Sequence, residues 1–386
     1  MTKKLTIAIL NDLISFDTTS FNSNVNLINY IVSYLNRHGV DSTLVYNQEN
    51  NKANLYATIG PANKPGIILS GHTDTVPVIN QSWNSNPYIM SYVNGRYYGR
   101  GTTDMKGFLA VVLSSVPLML EKPLHMPIHL AFSYDEEVGC VGVRHLIENL
   151  KGNPIKPKMC IIGEPTSMKV VTAHKGKLAI KVKITGRECH SGMAPYGVNA
   201  INYASRLVCW LDLLSTEKRK NGPFDSRYTV PFTTIHTGVI NGGTALNIVP
   251  NKCEFDFEIR NISEEEPYSI LSDFRDYANV LIREMKKKDD LCDIKIEVTS
   301  EYSGLNTPDD ATIVYFAKKL TGELSTTTIN FGTEGGLFNS ILGVETVVCG
   351  PGSMEQGHKP DEFIEKEQLD KCEMFMHRLI EELKIT

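Results

Sequence analysis

The chain has 386 residues, 41% hydrophobic and 22% charged, an ordinary globular composition that excludes a chain disordered throughout. Lysine plus arginine number 39 against 44 aspartates and glutamates, a net charge of −5, so no global positive field draws nucleic acid or anionic lipid. At ~150 residues per domain, the length corresponds to roughly two to three domains.

The first twenty residues carry Lys3 and Lys4 but soon meet Asn11, Asp12 and Asp17. They lack a clean apolar core and a small-residue cleavage site, so no secretory signal is expected. Residues 25–38 place Val25, Ile28, Ile31, Val32 and Leu35 at helical spacing. Short apolar runs at 66–70, 128–132 and 159–162 read as strands, with a helical stretch at 108–120 between them. Strands alternating with helices predict a mostly parallel sheet covered on both faces.

Near Lys177 the pattern changes. Residues 178–185 alternate as a strand, and 200–217 read as a helix. Two more strands follow at 233–240 and 253–260, then a helix at 268–287 and a strand at 293–299. The order β-α-β-β-α-β is that of a ferredoxin-like domain, a unit that can sit in a surface loop of its host. After about Gly304 the first pattern resumes, with a helix at 310–320, a strand at 346–349 and a helix at 366–384. The expectation is an α/β domain over 1–176 and 304–386, a mixed, mostly parallel sheet flanked by helices. An α+β insert over 177–303 interrupts it.

The run Lys286-Lys287-Lys288 is followed at once by Asp289-Asp290 and reads as a solvated helix end. The eight cysteines are scattered, with no Cys-x-x-Cys pair, which fits reduced thiols and a cytoplasmic setting. No run of about 18 apolar residues predicts a membrane span.

Acids and imidazoles collect at the ends of the predicted strands. His72 and Asp74 follow the 66–70 run, Asp135, Glu136 and Glu137 follow the strand ending at Phe132, and Glu164 follows Gly163. Asp104 precedes the 108–120 helix, and His358 lies in a Gly- and Pro-rich loop after the strand ending at Cys349. In a doubly wound sheet, ligands bind outside the carboxyl ends of the strands, where these groups would converge. Such donors suit zinc, manganese or cobalt, and a carboxylate can bridge two ions. Asp74 would orient His72 through its other ring nitrogen. Of Glu136 and Glu137, one would be a general base and the other a ligand. Each residue alone also has a plain structural reading: a surface His–Asp pair, solvated charge, a helix-capping Asp104 or Glu164. Other motifs fail. Gly99-x-Gly101 has Asp104 where a dinucleotide loop needs glycine, and no phosphate loop, His-Glu-x-x-His or Gly-x-Ser-x-Gly occurs.

Four ordered strings carry a family resemblance: Ser70-Gly-His72-Thr-Asp74-Thr-Val-Pro77, Gly101-Thr-Thr-Asp104-Met-Lys-Gly107, Asp135-Glu136-Glu137-Val-Gly139 and Gly163-Glu164-Pro-Thr166. They resemble the signatures of the M20 family of co-catalytic zinc aminoacylases and peptidases over nearly the whole chain. Ala173-His-Lys-Gly176, Phe232-Thr-Thr-Ile-His-Thr-Gly238, Gly332-Thr-Glu334, Gly350-Pro-Gly-Ser353 and His358-Lys-Pro-Asp-Glu362 are most similar to its acetylornithine deacetylase branch. Desuccinylases of succinyl-diaminopimelate share the general motifs but fit these strings less well. Other rivals are an acetylcitrulline deacetylase, a broad aminoacylase or dipeptidase and, remotely, a non-catalytic binding module.

The resemblance implies two zinc sites, with cobalt or manganese as substitutes. His72 and Glu164 would hold one ion, Glu137 and His358 the other, and Asp104 would bridge. Glu136 would be the general base. The insert would be a lid and dimerisation domain of a homodimer, with no nucleic-acid or membrane partner. Its His190 matches a lid histidine that helps hold the oxyanion in the other subunit's site. Arg260 resembles an arginine that grips a substrate carboxylate, and Asn247 is a weaker substrate-binding candidate. Beyond the family roles, a substrate such as acetylornithine carries an ammonium that a pocket carboxylate should meet. Glu334, in the Gly-rich stretch 332–336, is that candidate.

Overall fold

The computed structural model describes residues 2–385 and divides into two compact units. The first comprises the residues up to His174, Leu305–Ile329 and those from Thr333 on. At its centre strands Ile128–Ser133, Ile67–His72, Met159–Pro165 and Glu345–Gly350 run parallel in that spatial order. Every residue of the first three is buried, which is why they read as continuous apolar runs. Antiparallel strands Ala53–Ile59 and Ser42–Tyr46 extend one edge. Beyond Glu345–Gly350 lies Val170–His174, flanked by Leu305–Asn306 and Thr326–Ile329. The mixed α/β sheet agrees with expectation.

Helix Gly107–Leu120 is buried almost all round, the mark of a core helix. Together with the turn before it, Thr102–Leu120, it is long and apolar enough to cross a membrane, but this stretch lies mostly inside the protein. Gly163, just before Glu164, lets this helix approach the sheet, because a Cβ there would meet the Phe108 ring at 2.1 Å. Helix Lys366–Leu383 buries Leu369, Phe375, Met376, Leu379 and Ile380 at helical spacing. Helix Thr2–Ile14 covers the stretch weighed as a signal; it buries Ile9, Leu10, Leu13 and Ile14 against Gly107–Leu120.

The second unit comprises Lys175–Gly304 and Asn330–Gly332. Its antiparallel sheet has the order Thr234–Gly242, Lys252–Arg260, Lys177–Thr185, Asp293–Tyr302. Leu178, Ile180, Val182 and Ile184 alternate inward, as do Cys253, Phe255, Phe257 and Ile259. Helices Ala200–Asn221 and Pro267–Lys286 bury Leu207, Leu211, Leu271, Phe274 and Leu281 in the same cluster. The chain order is β-α-β-β-α-β. Asn330–Gly332, assigned from sequence to the other domain, belongs here. Gly332 lies so close to Tyr302 that a Cβ would fall 1.9 Å from the ring.

Candidate metal centre

The chemistry collects at the carboxyl ends of the parallel strands of the first unit. His72 ends strand Ile67–His72, Glu164 lies in Met159–Pro165, and Glu136 and Glu137 follow Ile128–Ser133. Asp104 lies in the irregular turn Thr102–Lys106 with non-helical φ −125° and ψ 90°, so it does not cap the following helix. Glu164 caps no helix either, being inside a strand.

His72 Nε2 lies 3.0 Å from Asp104 Oδ1 and 3.5 Å from Glu164 Oε1. His358 Nε2 lies 3.1 Å from Asp104 Oδ2 and 2.9 Å from Glu137 Oε2. The two oxygens of Asp104 therefore face two different imidazoles. Ligand atoms of His72, Glu136 and Glu164 lie within 4.8 Å of one another, as do those of His72, Asp104 and Glu137.

Burial sets the electrostatics. It pushes Glu136 up to about 8, opposed by His72 and helped by Glu137 and Glu334. Burial and Asp104 carry Glu137 to about 7, against the pull of His358, and Glu164 is also raised well above the ordinary range. For Asp104, burial is outweighed by His358 and His72, which hold its carboxyl below the usual values. Burial opposes the charge on His358, but Asp104 and Glu137 raise it to about 10. Crowded carboxylates of this kind call for a cation. Glu137 Oε1 is buried without a hydrogen-bond partner among the described residues. Asp104 Oδ2 faces His358 Nε2 without hydrogen-bonding geometry. Carboxylate and imidazole donors suit zinc, cobalt or manganese, so the residues fit a dinuclear metal group.

Asp74 meets the other ring nitrogen of His72, chiefly through its backbone, and has a second job besides. The acceptor for His72 Nδ1–H is the Asp74 backbone carbonyl at 2.9 Å, which leaves Nε2 free to ligate. The Asp74 carboxylate lies 3.6 Å from that ring nitrogen. It accepts the amide N–H groups of Glu136 (3.2 Å) and Glu137 (3.3 Å) and the Ser20 hydroxyl (2.8 Å). It fixes the backbone that presents the two glutamates.

Glu334 is likewise a buried carboxylate. It is 1% exposed, at the start of helix Gly335–Leu342, and its oxygens accept from the Ser70 hydroxyl at 3.2 Å and from the Ser133 hydroxyl. Each oxygen thus accepts one hydroxyl, and burial raises the carboxyl to about 7.

In the second unit, His190 is exposed, its Nδ1 accepting from Gly192 N at 3.1 Å. Ser191 N donates to Asn247 O at 2.9 Å, so the His190 and Asn247 loops lie side by side. The Arg260 fork is already on Glu258, with Nε–Oε1 at 3.0 Å and Nη2–Oε2 at 3.2 Å, and Nη1 donates to Tyr302 at 2.5 Å.

Two neighbours of the centre were not singled out from sequence. Cys140 Sγ lies 3.3 Å from Glu136 Oε1, in range to donate to it. Lys106 is fully buried and donates to the carbonyls of Leu13 (3.1 Å) and Phe16 (2.9 Å); burial lowers its ammonium to about 7. Lys106 was visible in the Asp104-Met-Lys-Gly107 string, but its acceptors are some ninety residues away in sequence.

A pH prediction follows for the metal-free protein. Glu136, Glu137 and Glu334 have folded values raised from 4.5 to about 8, 7 and 7. The folded state thus favours their protonated forms, and the stability they contribute is lost as pH rises through those values. The raised His72 and His358 act in the same direction. The lowered Asp74 and Asp104 matter only in acid. Lys106, lowered to about 7, and Lys175, lowered to about 8, act in the opposite direction above those values, so the metal-free thermal midpoint is expected to fall between about pH 5 and 7, and the increase given by Zn(II) to grow over that window. A metal-free midpoint that rises across this range would contradict the assignment.

The profile of Peptidase family M20/M25/M40 matches residues 68–382. The chain is 34% identical over 369 residues to an acetylornithine deacetylase of Proteus mirabilis, covering 95% of this chain and 92% of the relative. An M20 family metallo-carboxypeptidase of Sulfolobus solfataricus has a similar fold, with TM-score 0.77 and 19% identity over 97% of this chain and 98% of that one. So does a dinuclear metal-binding M20 peptidase of Bacillus subtilis, with TM-score 0.67 and 15% identity over 99% and 98%. The family match over most of the chain and the cluster of imidazoles and carboxylates at the strand ends lead to one conclusion: the chain belongs to peptidase family M20/M25/M40, hydrolases of amide bonds.

Proposed function

We propose that the protein hydrolyses N2-acetyl-L-ornithine to acetate and L-ornithine, a step of arginine biosynthesis. The observation that carries this reading is the full-length similarity to a relative named acetylornithine deacetylase, joined to a complete donor set at the strand ends.

In this reading His72 and Glu164 would hold one zinc ion, Glu137 and His358 a second, and Asp104 would serve both; the distances above support that division. When bound, the ion pair lowers the pKa of water and polarises the acetyl carbonyl. Glu136 takes the proton from the attacking water and delivers it to the leaving amine nitrogen. Burial, which raises its proton affinity, suits it to both halves of that transfer. His190 of a second subunit donates to the developing oxyanion. Arg260 grips the substrate carboxylate after exchanging Glu258 for it, and Asn247 assists. Glu334 is the carboxylate for the substrate's side-chain ammonium.

Assembly as a homodimer is part of the proposal. Edge strand Thr234–Gly242 exposes Val239 and Ile240, a surface that association would cover. The eight cysteines are free thiols, which supports a reducing, cytoplasmic setting.

The test is kcat/KM for N2-acetyl-L-ornithine beside succinyl-diaminopimelate, acetylcitrulline and acetylmethionine, with zinc-loaded protein. Acetylornithine is expected to lead by at least about tenfold, a difference of ~1.4 kcal/mol. Preference for another of the four would replace the substrate and keep the hydrolase.

A further inference from the structure

We propose that Glu362 is a positioning residue that locks the loop carrying Asp104 to the loop carrying His358, and so sets the second metal position. The inference rests on the dinuclear reading above. Glu362 is 1% exposed and surrounded by donors from the Asp104 loop. Its Oε1 accepts from the amides of Thr103 (2.9 Å) and Asp104 itself (3.1 Å). Its Oε2 accepts from the amide of Gly101 (3.1 Å) and from Arg100 Nη1 (2.7 Å). The Glu362 backbone carbonyl accepts from Gly99 N at 2.9 Å.

This is a carboxylate nest built from one turn of chain. Gly101 makes the turn possible with φ 86°, and a Cβ there would lie 2.9 Å from the Thr75 side chain. Four donors on one buried carboxylate are what such a charge needs in order to be tolerated.

The other half of the lock reaches His358. Arg100 Nη1 also donates to Lys359 O at 3.3 Å, and Arg100 Nη2 donates to Gln81. Gln81 Nε2 in turn donates to His358 O at 3.1 Å. His358 has φ 60°, a left-handed conformation that a non-glycine residue keeps only when its surroundings impose it. The same network thus holds the amide of Asp104 and the carbonyl of His358, whose side chains meet 3.1 Å apart. The His72–Glu164 pair takes no bond from Glu362.

The test is stepwise Co(II) binding to metal-free protein, read by d–d absorption and by equilibrium dialysis. The parent protein is expected to bind two equivalents. In Glu362→Gln, which turns an NH2 group toward the Arg100 and Gly101 donors, the second equivalent is expected to weaken by about 10- to 100-fold. The first is expected to stay within about twofold. Arg100→Lys keeps the three amide donors and should weaken the second step by less than Glu362→Gln does. Circular dichroism and the metal-free thermal midpoint establish that each variant folds, and Arg100→Lys carries the test alone if Glu362→Gln does not. Equal loss of both steps, or no loss in a folded variant, would overturn the proposal. A parent that binds one equivalent would instead overturn the dinuclear reading on which it rests.

Discussion

Replacing Glu136 by Gln is expected to cut kcat/KM by about 10²- to 10⁴-fold, the range of general acid–base contributions, and leave metal content unchanged. Gln keeps the shape of the side chain and loses the ability to take a proton. The backbone that presents it is held independently, through the Glu136 and Glu137 amides on Asp74, so the substitution need not disturb the ligands. Glu136 Oε1 receives the Cys140 thiol at 3.3 Å, a contact that the Gln carbonyl can keep. Metal analysis beside steady-state kinetics makes the result decisive. If Glu136 were instead a ligand, as its proximity to His72 and Glu164 allows, the variant would lose metal together with activity. Retained turnover would remove Glu136 from the proton-transfer role.

The parts of the fold legible in the sequence are those whose physics is local. Buried parallel strands read as apolar runs, and the period of two in Lys177–Thr185 and Lys252–Arg260 follows from helices covering one face of their sheet. The three-residue strands Ser91–Val93, Arg96–Tyr98 and Phe363–Glu365 are too short to show a period, and one of them comes from the far end of the chain. Asn330–Gly332 gave no local sign of joining the second unit, because its place depends on room beside Tyr302. His72, Glu136, Glu137 and Glu164 stood out because they lie at or just after strand ends that converge at one rim, whereas Asp104 and His358 lie in turns. The bonds that orient them were not legible. Asp74 was read as the partner of the His72 ring, and only coordinates separate its carbonyl from its carboxylate. Glu334 was read as a pocket carboxylate, but its hydroxyl partners Ser70 and Ser133, 264 and 201 residues away, left no local sign. The Arg260 ion pair is the opposite case. Glu258 stands two residues earlier on the same strand, so both side chains share a face, and the pairing was available from the alternation.

Asp104→Ala should have the other large effect, removing tight binding of both ions and lowering turnover by at least about 10⁴-fold. Asp104 is the one carboxylate whose two oxygens face two imidazoles, His72 at 3.0 Å and His358 at 3.1 Å. Its loss leaves His72 and Glu164 on one side and Glu137 and His358 on the other, two donors each and too few for a structured site. The contrast with Glu137→Ala is the sharper test. That variant should lose the ion near His358 and keep the one near His72, giving one equivalent of metal where Asp104→Ala gives none. The metal-free variant also carries a spectroscopic sign. The His358 imidazolium is held up to about 10 against burial by Asp104 and Glu137 together, so removing Asp104 should move its titration downward in NMR. A downward shift with loss of both ions places Asp104 between the two imidazoles. Two ions retained at parent affinity would show that the remaining residues hold the pair without a bridge.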